Sequence, residues 1–583
     1  MNRLSKPVRG SPQTNHDEQA VAASQQLDRL YEFDREPVSS DRLLGPGYFA
    51  GSFAGEHVAG TEFVIGALFV NWGATVQDVF VGLVIGNLLA VLTWTWVCAP
   101  IAVDTRLTLY WYLRRIGGPL FTLIYNLLNA ALFCILAGCM ITVSASAVRI
   151  PFHVPAQVHW YPDDVRFVLV VLGVGAVVVT LAILGFKKLA SFATVCSPWM
   201  LLMFVVGAIV MLPRLAEAAG LGDQIDGFGG FWQMAHTVVW TGQTPDGSPP
   251  LGFWKIAAFA WICNLAMHGG LSDMALFRYA PRASYGLFSA FGMFLGHYLA
   301  WICAGMMGVG AALLLNAPLV RLDSGDVAYQ ALGWSGVLAV IIAGWTTSNP
   351  TLYRAGLALQ AITPNWSRAR VTLVAGIATT VIACFPFVFT GLLDFVGIYG
   401  LLLAPAGAIV FTEHWIFPRL GLTRYWVSHR QRMLNLPALI AWGTAVLLAL
   451  ILERTGTLHL FYLFLPVYLV TSLLYISLAW LSGARAPAPT GLPPIIPTGD
   501  GAHDSTEANS KGNAVLLGFA GSVAAASLLC CLALAVWVAS GGDGFGEKHS
   551  SMKAWLILPT LLYFVAGTLF FQQWQKQKEG RRP

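Results

Sequence analysis

Charge is scarce in this chain. Only 11% of its 583 residues are Asp, Glu, Lys or Arg, 56% are hydrophobic, and the mean hydropathy is +0.65. Soluble domains carry about 25% charged residues, so a core in water is excluded as the place for this much apolar surface, and the bilayer is the implied solvent. Paired cysteines are lacking too. Cys98, Cys134, Cys139, Cys196, Cys263, Cys303, Cys384, Cys530 and Cys531 all fall inside apolar runs, with no loop pair and no C-x-x-C spacing. That argues against a disulfide framework or a zinc site.

Catalytic signatures are missing as well: there is no H-E-x-x-H, no G-x-S-x-G and no phosphate-binding glycine loop. An intramembrane enzyme built on Glu56, His57 and His268 is therefore disfavoured, and no cofactor is expected. The net charge of +5 would suggest nucleic acid in a soluble protein. Here the basic residues gather in short loops between apolar runs, which is a topology signal, so no nucleic-acid partner is expected. Residues 1–42 are polar and irregular, without the apolar core and cleavage site of a signal peptide, and are expected to form a disordered cytoplasmic tail.

What the sequence does contain is apolar stretches of the roughly 20 residues needed to cross a hydrocarbon core. They recur at 46–71, 78–101, 119–148, 165–185, 189–213, 253–274, 285–316, 331–353, 371–389, 392–413, 435–452, 458–482, 513–540 and 554–573, fourteen in all. The even-numbered connections hold the basic residues, among them Arg106, Arg114, Arg115, Lys187, Lys188, Arg278, Arg282, Arg368, Arg370, Arg419, Arg424 and Arg430. The long odd connection at 214–252 carries Asp223, Asp226 and many glycines. Both termini are thus expected in the cytoplasm, with the chain in a bacterial inner (plasma) membrane. A Pro-rich stretch, "GARAPAPTGLPPIIPTGDG", separates the last two spans. The expected organisation is a tail at 1–42, a core of ten spans at 43–414, two more spans at 415–482, a cytoplasmic linker at 483–512, and the last two spans with a basic tail at 513–583.

Within the first span, "AGEHVAG" places Glu56 beside His57. A span starting only at Phe63 would have 14 residues before Gln77 and Asp78, about 21 Å at ~1.5 Å per residue, short of the ~30 Å core. The span must begin near Pro46, which puts Glu56 and His57 near its middle. An ionisable group at that depth costs a few kcal/mol or more, and faces a wet cavity or a partner. The pair either brackets a functional site or only braces helices together. Thr61 and Glu62 follow, with Glu62 about 120° around a regular helix from Glu56.

The sixth span is interrupted in a similar way, "WICNLAMHGGLSDMALFRYAP", with Asn264, His268, Gly269, Gly270, Ser272 and Asp273. The interruptions lie five spans apart, so a repeat of spans one to five in spans six to ten is inverted. Gly-interrupted spans at matching positions of inverted halves point to a secondary transporter with its site at the midplane. In the third span Asn126 and Asn129 share a face and suit either a solute or a helix-helix bond worth about 0.6 kcal/mol. Gly292 and Gly296 in span seven form a G-x-x-x-G, read as close packing. In span eight, "AGWTTSNPTLYRAG", the hydroxyls of Thr346 and Thr347 with the Ala343 carbonyl offer neutral oxygens suited to Na⁺, although Thr-Thr in a helix also bonds back to its own backbone.

Several stretches resemble the nucleobase:cation symporter family of purine-cytosine permease relatives. They are "QDVFVGLVIGN", "TRLTLYWYLRRIGG", "GFKKLASFATVCSPWMLLMF", "SDMALFRYA", "AGWTTSNP" and "LLDFVGIYGLLLAPAGAIVFTEHW", within roughly residues 45 to 480. The resemblance implies an all-α polytopic membrane protein with a LeuT-type five-plus-five inverted repeat and additional C-terminal helices. It also implies a sodium site at Ala343, Thr346 and Thr347 facing backbone carbonyls near Ala54 and His57. Two departures bear on the substrate. The family's Asp-x-x-Arg-Tyr is stretched here between Asp273 and Arg278, and its span-three Trp and Gln are replaced by Asn126, Asn129 and Phe133, which leaves Trp261 as a stacking ring. Spans thirteen and fourteen exceed the family's twelve and read as peripheral, possible oligomer contacts, with the oligomeric state undetermined.

The expected function is cation-coupled symport, with Na⁺ or H⁺, of a small polar or heterocyclic solute such as a nucleobase, hydantoin or vitamin. Glu56, His57, Asn126, Asn129, Asn264 and His268 are the candidate polar contacts, with Trp261 or Phe133 for its face. A proton-coupled transporter of an amino acid or amine is the alternative, and a channel is the third option.

Overall fold

The computed structural model describes residues 36–157, 159–183, 186–363, 365–386, 391–487, 513–541 and 544–579. Most of the expected N-terminal tail and Pro-rich linker lies outside the described residues. Among those described, every named element is helical. By length and composition ten helices can cross a membrane, or eleven when one bent pair counts as a single span.

The bent pair is the first span. α1 (Pro46–His57) and α2 (Glu62–Asn71) meet at 53°. Then follow α3 (Asp78–Thr105) and α4 (Leu109–Val148). α4 carries a non-helical Gly118 (φ 79°) before Pro119, so the arginine-bearing segment 109–117 turns away and the spanning part begins at 119. α5 (Val165–Ile183) and α6 (Phe186–Ala218) complete the first five spans.

The sixth span is three short pieces, α7 (Phe253–Ile262), α8 (Leu265–His268) and α9 (Met274–Phe277). After it come α10 (Ala283–Leu315), the short α11 (Ser324–Leu332), α12 (Trp334–Ile362), α13 (Arg368–Ala383) and α14 (Leu392–Phe411). The expected spans six, eight and nine correspond to the broken α7–α9, to α12 with its polar residues, and to α13. With α15 (Leu436–Arg454), α16 (Phe464–Ala484), α17 (Ala514–Ala539) and α18 (Phe545–Gln577), the helices are consistent with fourteen spans in an integral membrane protein.

Packing places the two broken spans at the centre. α1 lies against α6, α10 and α12, α7 against α3, and α8 against α14. α12 runs along α4, and α13 packs on α4 and α5. α11 packs on α12, α4, α10 and α6. Arg149, at the end of α4, bonds Asp323 at 2.7 Å and Asp326 at 2.8 Å, and Ser324 Oγ donates to the Gly60 carbonyl at 3.0 Å. The last two helices pair with each other and lean on α6, where Tyr563 Oη donates to the Val195 carbonyl (2.8 Å) and Trp199 Nε1 to Thr560 Oγ1 (3.3 Å). They therefore have a specific seat against the fifth span.

Candidate functional site

The break in the first span follows from where its helix stops. The Val58 N–H bonds back to the Ala54 carbonyl at 3.0 Å, His57 is the last helical residue, and the chain resumes as helix only at Glu62. In the sixth span the interruption runs from Cys263 to Asp273. Leu271 sits at φ 64°, a left-handed conformation rare for a branched side chain and typical of functional sites. Gly269 and Gly270 are not the left-handed residues of this turn. They serve close approach instead.

A Cβ on Gly407 of α14 would run into the Gly269 carbonyl oxygen, and one on Gly296 of α10 into the carbonyl oxygen of His57. Each break is thus braced by a glycine of another span, so the G-x-x-x-G at Gly292 and Gly296 is close packing as expected, directed at the Glu-His pair. α10 contains a π-helical stretch, Phe291–Ala300, and such wide turns cluster at functional sites. Here it presents His297.

Glu56 is held in an ion cluster. Arg354 of α12 donates to Glu56 Oε1 (2.7 Å) and Oε2 (3.1 Å), and also to Asp273 Oδ1. Trp94 Nε1 of α3 donates to Asp273 Oδ2 at 2.6 Å. All four side chains are buried. One guanidinium therefore ties spans one, six and eight together, with span two attached through the indole. Arg354 was missed in the sequence because it falls one residue past the 331–353 stretch. Its position two turns from Thr347, on the same helix face, is the signal that exposes it.

Beside this cluster lies a cavity of about 60 Å³ lined by Glu56, His57, Thr61, Glu62, Asn264, His297 and Thr347, with apolar walls from α2, α4 and α14. One water centre needs roughly 10–15 Å³, so the space suits a few waters or a small solute. His57 Nδ1 donates to the Phe53 carbonyl at 2.9 Å. Its ring stands 5.1 Å from that of His297, which stacks on Trp301 at 4.3 Å. Glu62 accepts a hydrogen bond from Trp301 Nε1, and His297 Nε2 is 3.8 Å from its other oxygen. Glu62 therefore belongs to this wall and does not snorkel, while His297 and Trp301 went unnoticed in the sequence.

The remaining candidates divide. Asn264 lines the cavity, 3.5 Å from His297 Nε2. Trp261 does not: its Nε1 donates to Thr93 Oγ1 (3.0 Å) and its ring meets Phe464 edge-on. His268 is buried behind it, with Nε2 on the Trp261 carbonyl (2.8 Å) and its ring near Trp94. Phe133 packs edge-on against Tyr399, and it is Tyr399 that reaches the cavity. Asn126 and Asn129 are buried on α4 outside the lining, Asn126 donating to the Tyr110 carbonyl at 3.2 Å.

On α12, Thr347 Oγ1 lies 2.8 Å from the Glu56 carbonyl and 3.1 Å from that of Ala343, and Thr346 Oγ1 is also 3.1 Å from the Ala343 carbonyl. The carbonyl that meets Thr347 lies between the two expected ones. That of Ala54 takes the Val58 N–H, and that of His57 lies against Gly296. Because the helix runs to His57 before breaking, Glu56 is the residue whose carbonyl meets Thr347.

No protein-family model matches the chain, and a search of curated proteins finds no match. Solved structures do resemble it. Mhp1, described as a nucleobase-cation-symport-1 family transporter, matches in its closed, bromovinylhydantoin-bound form with a TM-score of 0.60 and 16% identity, covering 79% of this chain and 98% of Mhp1. Its inward-facing form matches with a TM-score of 0.55 and 17% identity over 78% and 96% of the two chains. A substrate-bound, outward-open Na⁺-coupled sialic acid symporter matches at 0.54 with 13% identity, over 82% and 99%. The fold is therefore the LeuT type, as the sequence resemblance implied.

Proposed function

We propose that this protein is a secondary active transporter that moves a small polar or heterocyclic solute, of the nucleobase, hydantoin or vitamin-like kind, into the cell by alternating access, coupled to a cation. The observation that carries this reading is the buried cavity between two helix breaks in matching spans, flanked by the Arg354 cluster. A fold shared with a hydantoin-bound transporter and a Na⁺-coupled symporter supports it. His57 and Asn264 offer hydrogen bonds to the solute, and Tyr399 offers a ring face. The cation is Na⁺, held by the carbonyls of Glu56 and Ala343 and the hydroxyls of Thr346 and Thr347. These four oxygens already converge across the α1–α12 contact.

The double variant Thr346→Ala/Thr347→Ala is expected to raise the Na⁺ concentration for half-maximal uptake at least tenfold, each lost oxygen contributing about 1 kcal/mol. Uptake into proteoliposomes across a Na⁺ titration measures this, and an unchanged Na⁺ dependence would remove the site.

Proton coupling is the second reading, favoured by the His57, His297 and Glu62 wall of the same cavity. A Na⁺ gradient alone is expected to drive accumulation of the solute. Accumulation under a pH gradient alone would assign the coupling to the proton instead.

A further inference from the structure

The cavity is acidic, and its cation is turned away. Among the described residues lining it there is no Lys or Arg, while Glu56 and Glu62 both contribute to the wall. Arg354 approaches Glu56 from behind and spends its donors on both Glu56 oxygens and on Asp273. Glu56, Asp273 and Glu62 thus share the neighbourhood of one guanidinium, an excess of two negative charges when all three are ionised and the histidines are neutral. With the two imidazoles 5.1 Å apart, like-charge repulsion disfavours protonating both, so an excess remains even with one of them charged.

Glu62 is the carboxylate without a guanidinium. It is 2% exposed, its close donors are the neutral indole of Trp301 and the hydroxyl of Thr61, and His297 stands beyond hydrogen-bond distance from its second oxygen. His297 Nδ1 is buried on the same wall with no hydrogen-bond partner. A buried carboxylate in this state needs a positive partner or a proton. Sodium at Thr346 and Thr347 would offset one of the excess charges, which leaves the one at Glu62. An anionic solute would present its carboxylate to a wall that offers it no Lys or Arg.

We propose that the transported solute is a small organic cation, a protonated amine or amidine, whose N–H donors bind Glu62 and whose body lies against Tyr399. This rests on the transporter reading and replaces its neutral heterocycle with a cation. Glu62 pairs the positive charge in a charge-assisted bond, and Tyr399, with Phe395 stacked behind it at 5.3 Å, offers a ring face to a flat cation.

The test uses the full-length purified protein in Na⁺ buffer at a pH where the amines are protonated. Its melting temperature is measured with n-butylamine, benzamidine and guanidine, and with the matched butyramide, benzamide and butyrate. Uptake of the same compounds into proteoliposomes follows. At least one cation is expected to raise the melting temperature and to accumulate, while its amide and carboxylate counterparts do neither. Glu62→Gln is expected to raise the concentration for half-maximal shift at least about tenfold, and Glu62→Asp to restore part of it. Gradient-driven uptake of a neutral or anionic compound would overturn the cationic assignment and leave the transporter reading standing. So would a cation shift that Glu62→Gln leaves unchanged. Uptake of a neutral compound driven by a pH gradient and abolished in Glu62→Gln would show that Glu62 carries a proton and not the solute. If no compound of any charge binds or accumulates under either gradient, both readings fall.

Discussion

Arg354→Ala is expected to cost about 3–5 kcal/mol of stability and to abolish uptake, because it strands two buried carboxylates that share one guanidinium. The loss is larger than for an exposed ion pair, which contributes about 0–1 kcal/mol, since Glu56, Asp273 and Arg354 are all buried. Arg354→Lys is expected to fail as well. A point-charge ammonium cannot reach both Glu56 oxygens and Asp273 at once, whereas the planar fork of a guanidinium can. The triple variant Glu56→Gln/Asp273→Asn/Arg354→Met removes the charges together and is expected to recover most of the melting temperature without recovering transport. That separates folding from function. If Arg354→Ala melts as the wild type does, the cluster does not hold spans one, six and eight together.

Gly296→Val and Gly407→Val should each destabilise the protein by about 1–3 kcal/mol or more. Both positions press on backbone, the carbonyl oxygens of His57 and Gly269. A carbonyl cannot rotate away as a side chain tip can, so the added atoms must push the broken span aside and deform the cavity between the breaks. Uptake is expected to fall further than stability, because the displacement reaches the residues proposed to bind solute and ion. Gly443→Ala is the control. A Cβ there meets nothing within 4 Å, and in the interior of α15 alanine is favoured over glycine by up to about 1 kcal/mol. Melting curves and uptake on the same preparations check both expectations. A Gly407→Val protein with normal uptake would show that the sixth-span break tolerates movement at Gly269.

Some of the candidate site was legible from residue chemistry alone. Glu56, His57 and Asn264 were visible as polar groups too deep in apolar runs to be accidental, and they line the cavity. Thr346 and Thr347 stood out as adjacent hydroxyls, and Thr347 meets the first span. Trp261, Phe133 and His268 have equally suitable chemistry but point elsewhere, Trp261 toward Thr93 and His268 toward the Trp261 carbonyl. In a soluble helix the polar face would have revealed the orientation. Here lipid and protein neighbours are both apolar, so a spanning helix can bury any of its faces and periodicity carries little information.

The sequence by itself determined that this is an all-helical membrane protein with about fourteen spans, and where two of them break. The hydrocarbon core requires about 20 apolar residues per crossing and penalises every ionisable group and unbonded carbonyl within it, and such constraints are written along the chain. Only the tertiary structure decided that Arg354 reaches Glu56 and Asp273, that His297 and Glu62 share one wall, and that the Glu56 carbonyl faces Thr347. These contacts join residues up to 298 positions apart, and they depend on how each helix is rotated about its axis, which packing sets and hydropathy does not.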